Sequence, residues 1–213
     1  MNNQPVPDSA TSSLRVYLIR HGETEWTQSG RYTGLTDIPL TARGEADARA
    51  VGERLRKVSF AAVLTSPLQR AQQTCALAAL QPGAETESDL TEWDNGDYEG
   101  HVSAEIHARH PAWSLFRDGG PNGESPAQVS ARADHLIARL RTLEGNVALF
   151  SHGHLGRVLG ARWIGLSVAQ AQGLLLATTS ISILSYEHRR SATPAILLWN
   201  DVSAASAESD SGI

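Results

Sequence analysis

Leu18-Ile19-Arg20-His21-Gly22-Glu23-Thr24-Glu25-Trp26 is the stretch from which the rest of the chain can be read. The apolar run from Val16 to Ile19 stops abruptly at an arginine, a histidine and a glycine. That is the pattern of a buried strand passing into a loop at the edge of a sheet, and sites in open α/β sheets lie at such edges. A histidine fixed at a strand end, with arginine before it and glycine after it, can bring a ring nitrogen to a phosphoryl group while the guanidinium holds the phosphate oxygens.

Working outward, Arg15 to Ile19 is predicted as the first strand, and His21 to Leu40 as a long polar loop punctuated by Gly30, Gly34 and Pro39. Loops of that length inside compact domains are usually functional. Thr41 is placed to cap a helix through Ala46, Ala50, Val51 and Leu55, followed by a strand at Ala61 to Leu64. Ser66-Pro67-Leu68-Gln69 has the composition of a capping box, with Ser66 at the N-cap and Pro67 at the first helical position, which puts Arg70 in the first turn. Pro82-Gly83 ends this helix. A short helix is expected from Ala104 to His110, and Ser125-Pro126-Ala127-Gln128 opens a longer one through Val129, Ala133, Leu136, Ile137 and Leu140. Asn146 to Phe150 is the next strand; it leads into Ser151-His152-Gly153-His154 and a helix from about Leu155 to Ile164. Two last strands, Ile181 to Leu184 and Ala195 to Trp199, flank a turn around His188 to Thr193. Strands alternating with helices imply right-handed crossovers, and so an α/β, three-layer α/β/α sandwich with a mostly parallel central sheet.

The chain has 213 residues, of which 41% are apolar, enough for one core and no more. A single domain over 14–202 is expected, with tails of polar composition at 1–13 and 203–213. The net charge of −5 excludes a general nucleic-acid or membrane-surface binder, so any anion site must be local. The one cysteine, Cys75, rules out a disulfide framework and reads as a small core residue. No signal peptide or membrane-spanning stretch is evident, which points to the cytoplasm. Ile181 to Tyr186, or the last strand, is a candidate edge for a homodimer.

In a parallel sheet every strand that enters a crossover helix ends at the same edge, so Arg20, His21, Arg70 and His152 should converge. Two guanidiniums, two imidazoles and the N–H groups of the helix after His152 suit a phosphate dianion. The reaction that uses all of them is phosphoryl transfer to His21. Arg20, Arg70 and His152 would hold the equatorial oxygens, and water would then release the phosphate. Glu92, on the loop after the Arg70 helix, is the expected proton donor, its pKa raised by the neighbouring dianion. Asp94, Asp97, Glu99 and Glu124 are its acidic rivals. His154, His101, His107 and His110 read as surface or supporting histidines. His-Gly-His has no matching carboxylate spacing, so neither metal nor organic cofactor is expected.

Arg20-His21-Gly22-Glu23-Thr24-Glu25-Trp26, Ser66-Pro67-Leu68-Gln69-Arg70-Ala71, Glu92 with Tyr98-Glu99-Gly100, and Ser151-His152-Gly153-His154 together resemble the histidine phosphatase superfamily, in its phosphoglycerate-mutase-like branch. The resemblance covers residues 15 to 200. Gly30-Arg31-Tyr32-Thr33-Gly34-Leu35-Thr36-Asp37 and Glu92-Trp93-Asp94 are similar to bacterial acid phosphatases and fungal sedoheptulose-bisphosphatase-type members. The resemblance implies a small-molecule phosphomonoester as substrate, His21 as the phosphorylated nucleophile, Arg20, Arg70 and His152 as phosphate ligands, and Glu92 as the acid. It places Thr27, Thr33, Gly34, Tyr98 and Gly153 at the substrate as well. Many members have asparagine where Thr27 stands, a side chain with longer reach.

Two rivals remain. A cofactor-primed mutase resembles this chain at its histidines, but Trp93-Asp94-Asn95-Gly96-Asp97 is acidic where a second phosphate group would need cations. A phospholigand-binding module without catalysis would have no need of both His21 and Glu92.

Overall fold

The computed structural model describes residues 14–187 and 193–203. The expected tails at 1–13 and 203–213, apart from Ser203, and the expected turn at 188–193, apart from Thr193, lie outside them. Among the described residues the sheet has six strands in the order β3-β2-β4-β1-β5-β6. β1 (Arg15–Arg20), β2 (Ala62–Thr65), β3 (Glu85–Thr86) and β4 (Asn146–Ser151) are parallel to one another. β5 (Ile181–Tyr186) runs antiparallel to β1 and to β6 (Pro194–Asp201), so the sheet is mixed and mostly parallel.

Successive strand side chains point to opposite faces, and β1 and β4 are apolar on both. Val16, Leu18, Val147 and Leu149 pack with α6 (Pro126–Leu140) and α7 (Gly153–Trp163) through Val129, Leu136, Leu155 and Val158. Tyr17, Ile19, Ala148 and Phe150 pack with α2 (Ala42–Leu55) and α3 (Gln69–Leu77) through Val51, Leu55, Ala71 and Cys75. Helices therefore cover both faces, as expected, and each large side chain fully buried here contributes about 1.5–3 kcal/mol. Burial pushes the Cys75 thiol up to about 12, consistent with a core residue. Trp163, fully buried, donates its indole N–H to Ser185 O at 2.9 Å. Among the described residues no helix is long and apolar enough to cross a membrane.

The caps at Thr41 and Ser125 form as expected: Thr41 Oγ1 accepts from Gly44 N, and Ser125 and Gln128 make a reciprocal box. The cap at Ser66 does not. α3 begins at Gln69 with Leu68 as its N-cap, because Ser66 Oγ instead accepts from Leu68 N at 3.2 Å and lies 2.7 Å from His152 Nε2. Asp37 supplies the missing anion at that helix end, its Oδ1 accepting from Gln69 N at 2.8 Å. Arg70 still falls in the first turn. The loop from His21 to Leu40 contains one short helix, α1 (Glu25–Ser29), boxed by Thr24 and Thr27 and closed by Gly30 at φ 72°. Five residues without an apolar period leave no signal to read. Two further helices, α4 (Ser103–Arg109) and α5 (Leu115–Asp118), complete the loop side of the α6–α7 face.

Candidate active site

β1 and β4 end side by side, with Arg20 paired to Ser151 in register, and this brings His21 and His152 together with ring centroids 5.2 Å apart. Gly22 follows His21 because the chain passes against α2 there: a Cβ would lie 2.5 Å from Gly44 O. His21 Nδ1 stands 2.7 Å from Gly22 O. A carbonyl can only accept, so Nδ1 carries the proton and Nε2 keeps its lone pair. Burial first, then Arg20 and Arg70, holds this ring well below the usual imidazole pKa, hence neutral.

Arg20 Nη1 donates to Leu176 O at 2.6 Å, while its buried Nε has no protein partner. Arg70 is fully buried. Its Nη1 and Nη2 donate to Thr36 O and Gly34 O at 3.0 and 2.8 Å, and its Nε donates to His152 Nδ1 at 3.2 Å. His152 must therefore carry its proton on Nε2 and give it to Ser66 Oγ. Glu99 anchors the loop that presents those two carbonyls by accepting from Leu35 N and Thr36 N.

Glu92 is 4% exposed and sits at the N-terminus of α7. Its Oε1 accepts from Trp93 N and Leu155 N, both at 2.8 Å, and its Oε2 from His154 N at 3.0 Å. Two of the helix N–H groups expected to face phosphate are thus spent on the acid. Burial pushes Glu92 up, but His154 and the three amides outweigh it, and the carboxyl lies below its ordinary value. The expected elevation depends on the charge of a bound dianion; in the protein alone His154 and the hydrogen bonds to the charged form set the direction. Arg132, ion-paired with Glu124, fixes the acid's loop by donating to Asp89 O and Thr91 O.

These groups open on a cavity of about 320 Å³. Arg20, His21, Thr33, Glu92 and Gly153 are on its wall, and Arg70 and His152 are packed behind His21. Thr27 is also on the wall, but its hydroxyl donates to Thr24 O at 2.9 Å and accepts from Thr24 N at 2.8 Å, so it offers no free proton to a phosphate. Gly34 and Tyr98 are off the wall. Gly34 positions Arg70 through its carbonyl, and Tyr98 packs edge-on against Trp113 at 4.8 Å. Of the rival acids, Asp94 accepts from Gly96 N, Asp97 holds Asn122, Glu99 the Leu35 loop and Glu124 Arg132. Among the carboxylates of the described residues, Glu92 alone lines the cavity.

Sequence reasoning missed Arg31, Ser103, His154, Arg157 and Leu176 on this wall. Arg157 had a usable signal, since it follows Gly153 by four residues and so shares its helix face. Arg20, Arg31, Arg70 and Arg157 have no carboxylate within ion-pair distance among the described residues, an excess of positive charge in a chain of net charge −5. No group of three or more His, Cys, Asp or Glu there is arranged to hold a metal.

The fully buried His152 and the partly buried His154 also set how the fold responds to acid. Burial, only partly opposed by Glu92, lowers His154 from 6.5 to about 4, and His152 is held low by burial and then by Arg70 and His21. Between about 4 and 6.5 the unfolded chain binds protons that these folded rings refuse, so stability rises with pH across that window and is lost on acidification. Glu92, depressed as a carboxylate, adds the same sign as pH falls through its folded pKa. The thermal midpoint should therefore drop steadily from pH 6.5 toward 4, and His154→Phe should flatten the slope. Differential scanning calorimetry across that range checks this; a midpoint independent of pH would contradict it.

The family model for the histidine phosphatase superfamily, branch 1, matches residues 16–202. An acid phosphatase of Mycobacterium tuberculosis is 39% identical over 178 residues, covering 82% of this chain and 87% of the relative. Sedoheptulose 1,7-bisphosphatase of Saccharomyces cerevisiae is 37% identical over 187 residues, covering 72% and 69%. A solved structure of an open reading frame from Mycobacterium tuberculosis superposes with a TM-score of 0.82 at 35% identity, over 87% of this chain and 96% of that one. The matched span begins inside β1 and ends just past β6, so it takes in every element that shapes the cavity, and the chain belongs to the histidine phosphatase superfamily, branch 1.

Proposed function

We propose that this protein is a phosphomonoesterase acting on small phosphorylated metabolites through a phosphohistidine on His21. The observation that carries the reading is a neutral His21 with Nε2 free, on a wall shared by Arg20, whose buried Nε has no hydrogen-bond partner, and, among the carboxylates of the described residues, by Glu92. The Nε2 lone pair attacks phosphorus in line, and the P–O bond to the leaving group breaks as a P–N bond forms. Arg20 and Arg70 balance the charge on the equatorial oxygens, with the Gly153 N–H as a further donor and His152 holding Arg70 in place. The alkoxide takes a proton from Glu92. In the second step water gives a proton back to Glu92 as its oxygen attacks phosphorus, the P–N bond breaks, and the lone pair returns to Nε2. The names of the acid phosphatase and sedoheptulose bisphosphatase relatives support a hydrolytic outcome with sugar phosphates or a broad range of esters.

The test is phosphate release from a panel containing phosphoglycerates, sedoheptulose bisphosphate and an aryl phosphate, with a chelator present, with and without 2,3-bisphosphoglycerate. Release should survive the chelator, because arginines supply the charge that a metal would otherwise provide. Isomerisation appearing only with the bisphosphate would make the protein a mutase, and silence in every arm would leave a binding module.

A further inference from the structure

Arg157 has no part in the reaction just described, yet it lines the same cavity. It projects from α7 one turn after Gly153. Its Nε donates to Ala171 O at 3.3 Å, its Nη2 donates to Gln172 O, and its guanidinium carbon lies 4.3 Å from the Phe116 ring centroid. Among the described residues Nη1 makes no hydrogen bond. A partly desolvated guanidinium without a carboxylate is costly, and it is oriented here by carbonyls and an aromatic face, which fix its direction without neutralising it. Arg157 also stands on a boundary. A second cavity of about 290 Å³, lined by Trp113, Phe116 and Gln172, shares Tyr32, His154 and Arg157 with the first. Tyr32 and His154 stack at that boundary with centroids 5.6 Å apart. Arg31, whose Nη1 donates to Gly100 O, adds to the first cavity another guanidinium without an ion-paired carboxylate among the described residues.

A transferring phosphoryl group has three equatorial oxygens, which in the proposed reaction fall to Arg20 and the start of α7 on the wall, with Arg70 balancing their charge from behind His21. We propose that Arg157, assisted by Arg31, binds a second oxyanion on the substrate, a phosphate or carboxylate remote from the ester that is cleaved, and so selects phosphomonoesters with an anionic tail. The inference rests on the phosphomonoesterase reading and refines its substrate class. The tail reaches past His154 and Tyr32 toward the second cavity, and Arg157 engages it through a charge-assisted hydrogen bond from Nη1.

The experiment compares kcat/KM for α,ω-alkanediol bisphosphates and ω-carboxyalkyl phosphates of increasing chain length with n-alkyl phosphates of the same length. The wild-type enzyme should prefer an anionic tail by at least about tenfold at one chain length, and the two tail types separate phosphate from carboxylate recognition. Arg157→Met should shrink that ratio to about one, and Arg157→Lys should restore part of it, since a point charge replaces a fork. Because the readout is a ratio within each variant, a general loss of activity or of folded protein cancels. Equal kcat/KM for charged and uncharged tails in the wild type, or an unchanged ratio in Arg157→Met, would overturn the inference. Failure to hydrolyse any ester would instead overturn the reading on which it rests.

Discussion

His21→Ala should reduce turnover of every phosphomonoester by at least roughly 10⁴-fold while leaving inorganic phosphate bound within an order of magnitude of the wild-type affinity. The first effect follows from the free Nε2 lone pair. The Gly22 carbonyl holds Nδ1 and leaves Nε2 free on a ring that lines the cavity, and burial keeps that ring neutral well below the usual imidazole pKa, so no other described group on the wall combines nucleophilicity with that placement. The second follows from where the charge is. Arg20 and Arg70 carry the cationic charge beside His21, and neither uses the His21 ring as a hydrogen-bond partner. Initial rates on an aryl and an alkyl phosphate, with phosphate titration by calorimetry, test both parts. Brief quenching of the wild type during turnover should trap an acid-labile, base-stable phosphoryl adduct that the variant lacks. A variant that turns over within about tenfold of wild type would remove His21 from the reaction.

The strand ends were the legible part of this site. An apolar run that breaks into Arg20-His21-Gly22, and another that breaks into Ser151-His152-Gly153, are local signals, and parallel topology alone brings them to one edge. The same holds for Arg70, whose helix follows β2. What the chain could not disclose depends on partners distant in sequence. Ser66 has cap composition, but it meets His152 Nε2, a contact between residues 86 apart, and so leaves the helix uncapped by its own segment. Glu92 lies on the cavity wall, and what holds its carboxyl low in the protein alone, His154 and the His154 and Leu155 amides, comes from another element and leaves no local signal. Thr27 looked like a shortened ligand, and only α1, invisible to periodicity, shows its hydroxyl committed to Thr24. Motif position points Gly34 and Tyr98 at the substrate, and in the free protein their contacts are with Arg70 and Trp113.

Glu92→Gln should lower kcat/KM for alkyl phosphates by about 10²- to 10⁴-fold, yet change that for aryl phosphates with good leaving groups by less than about tenfold. An alkoxide cannot depart without a proton, whereas a nitrophenolate can, so the ratio of the two losses isolates proton donation from everything else the substitution does. It does other things. Glu92 accepts from three backbone N–H groups, and a glutamine can accept through one oxygen only. Its amide N–H₂ would then confront the His154 or the Leu155 N–H, and the negative charge at the start of α7 would be lost, a combined cost of order 1–3 kcal/mol in stability. A lower thermal midpoint is therefore expected and does not bear on the mechanism; the alkyl-to-aryl ratio does. The pH profile gives a second, independent reading. In the free protein Glu92 is held below its ordinary value, so donation requires a proton shared between this carboxyl and the incoming ester, whose second ionisation lies near 6. For alkyl esters kcat/KM should consequently fall on the alkaline side of an acid optimum, and this limb should flatten for aryl esters and for the variant. The acid side is bounded differently, by the histidine-linked loss of stability between about 4 and 6.5. Equal losses on alkyl and aryl esters, with both limbs of the profile unchanged, would transfer the acid role away from Glu92.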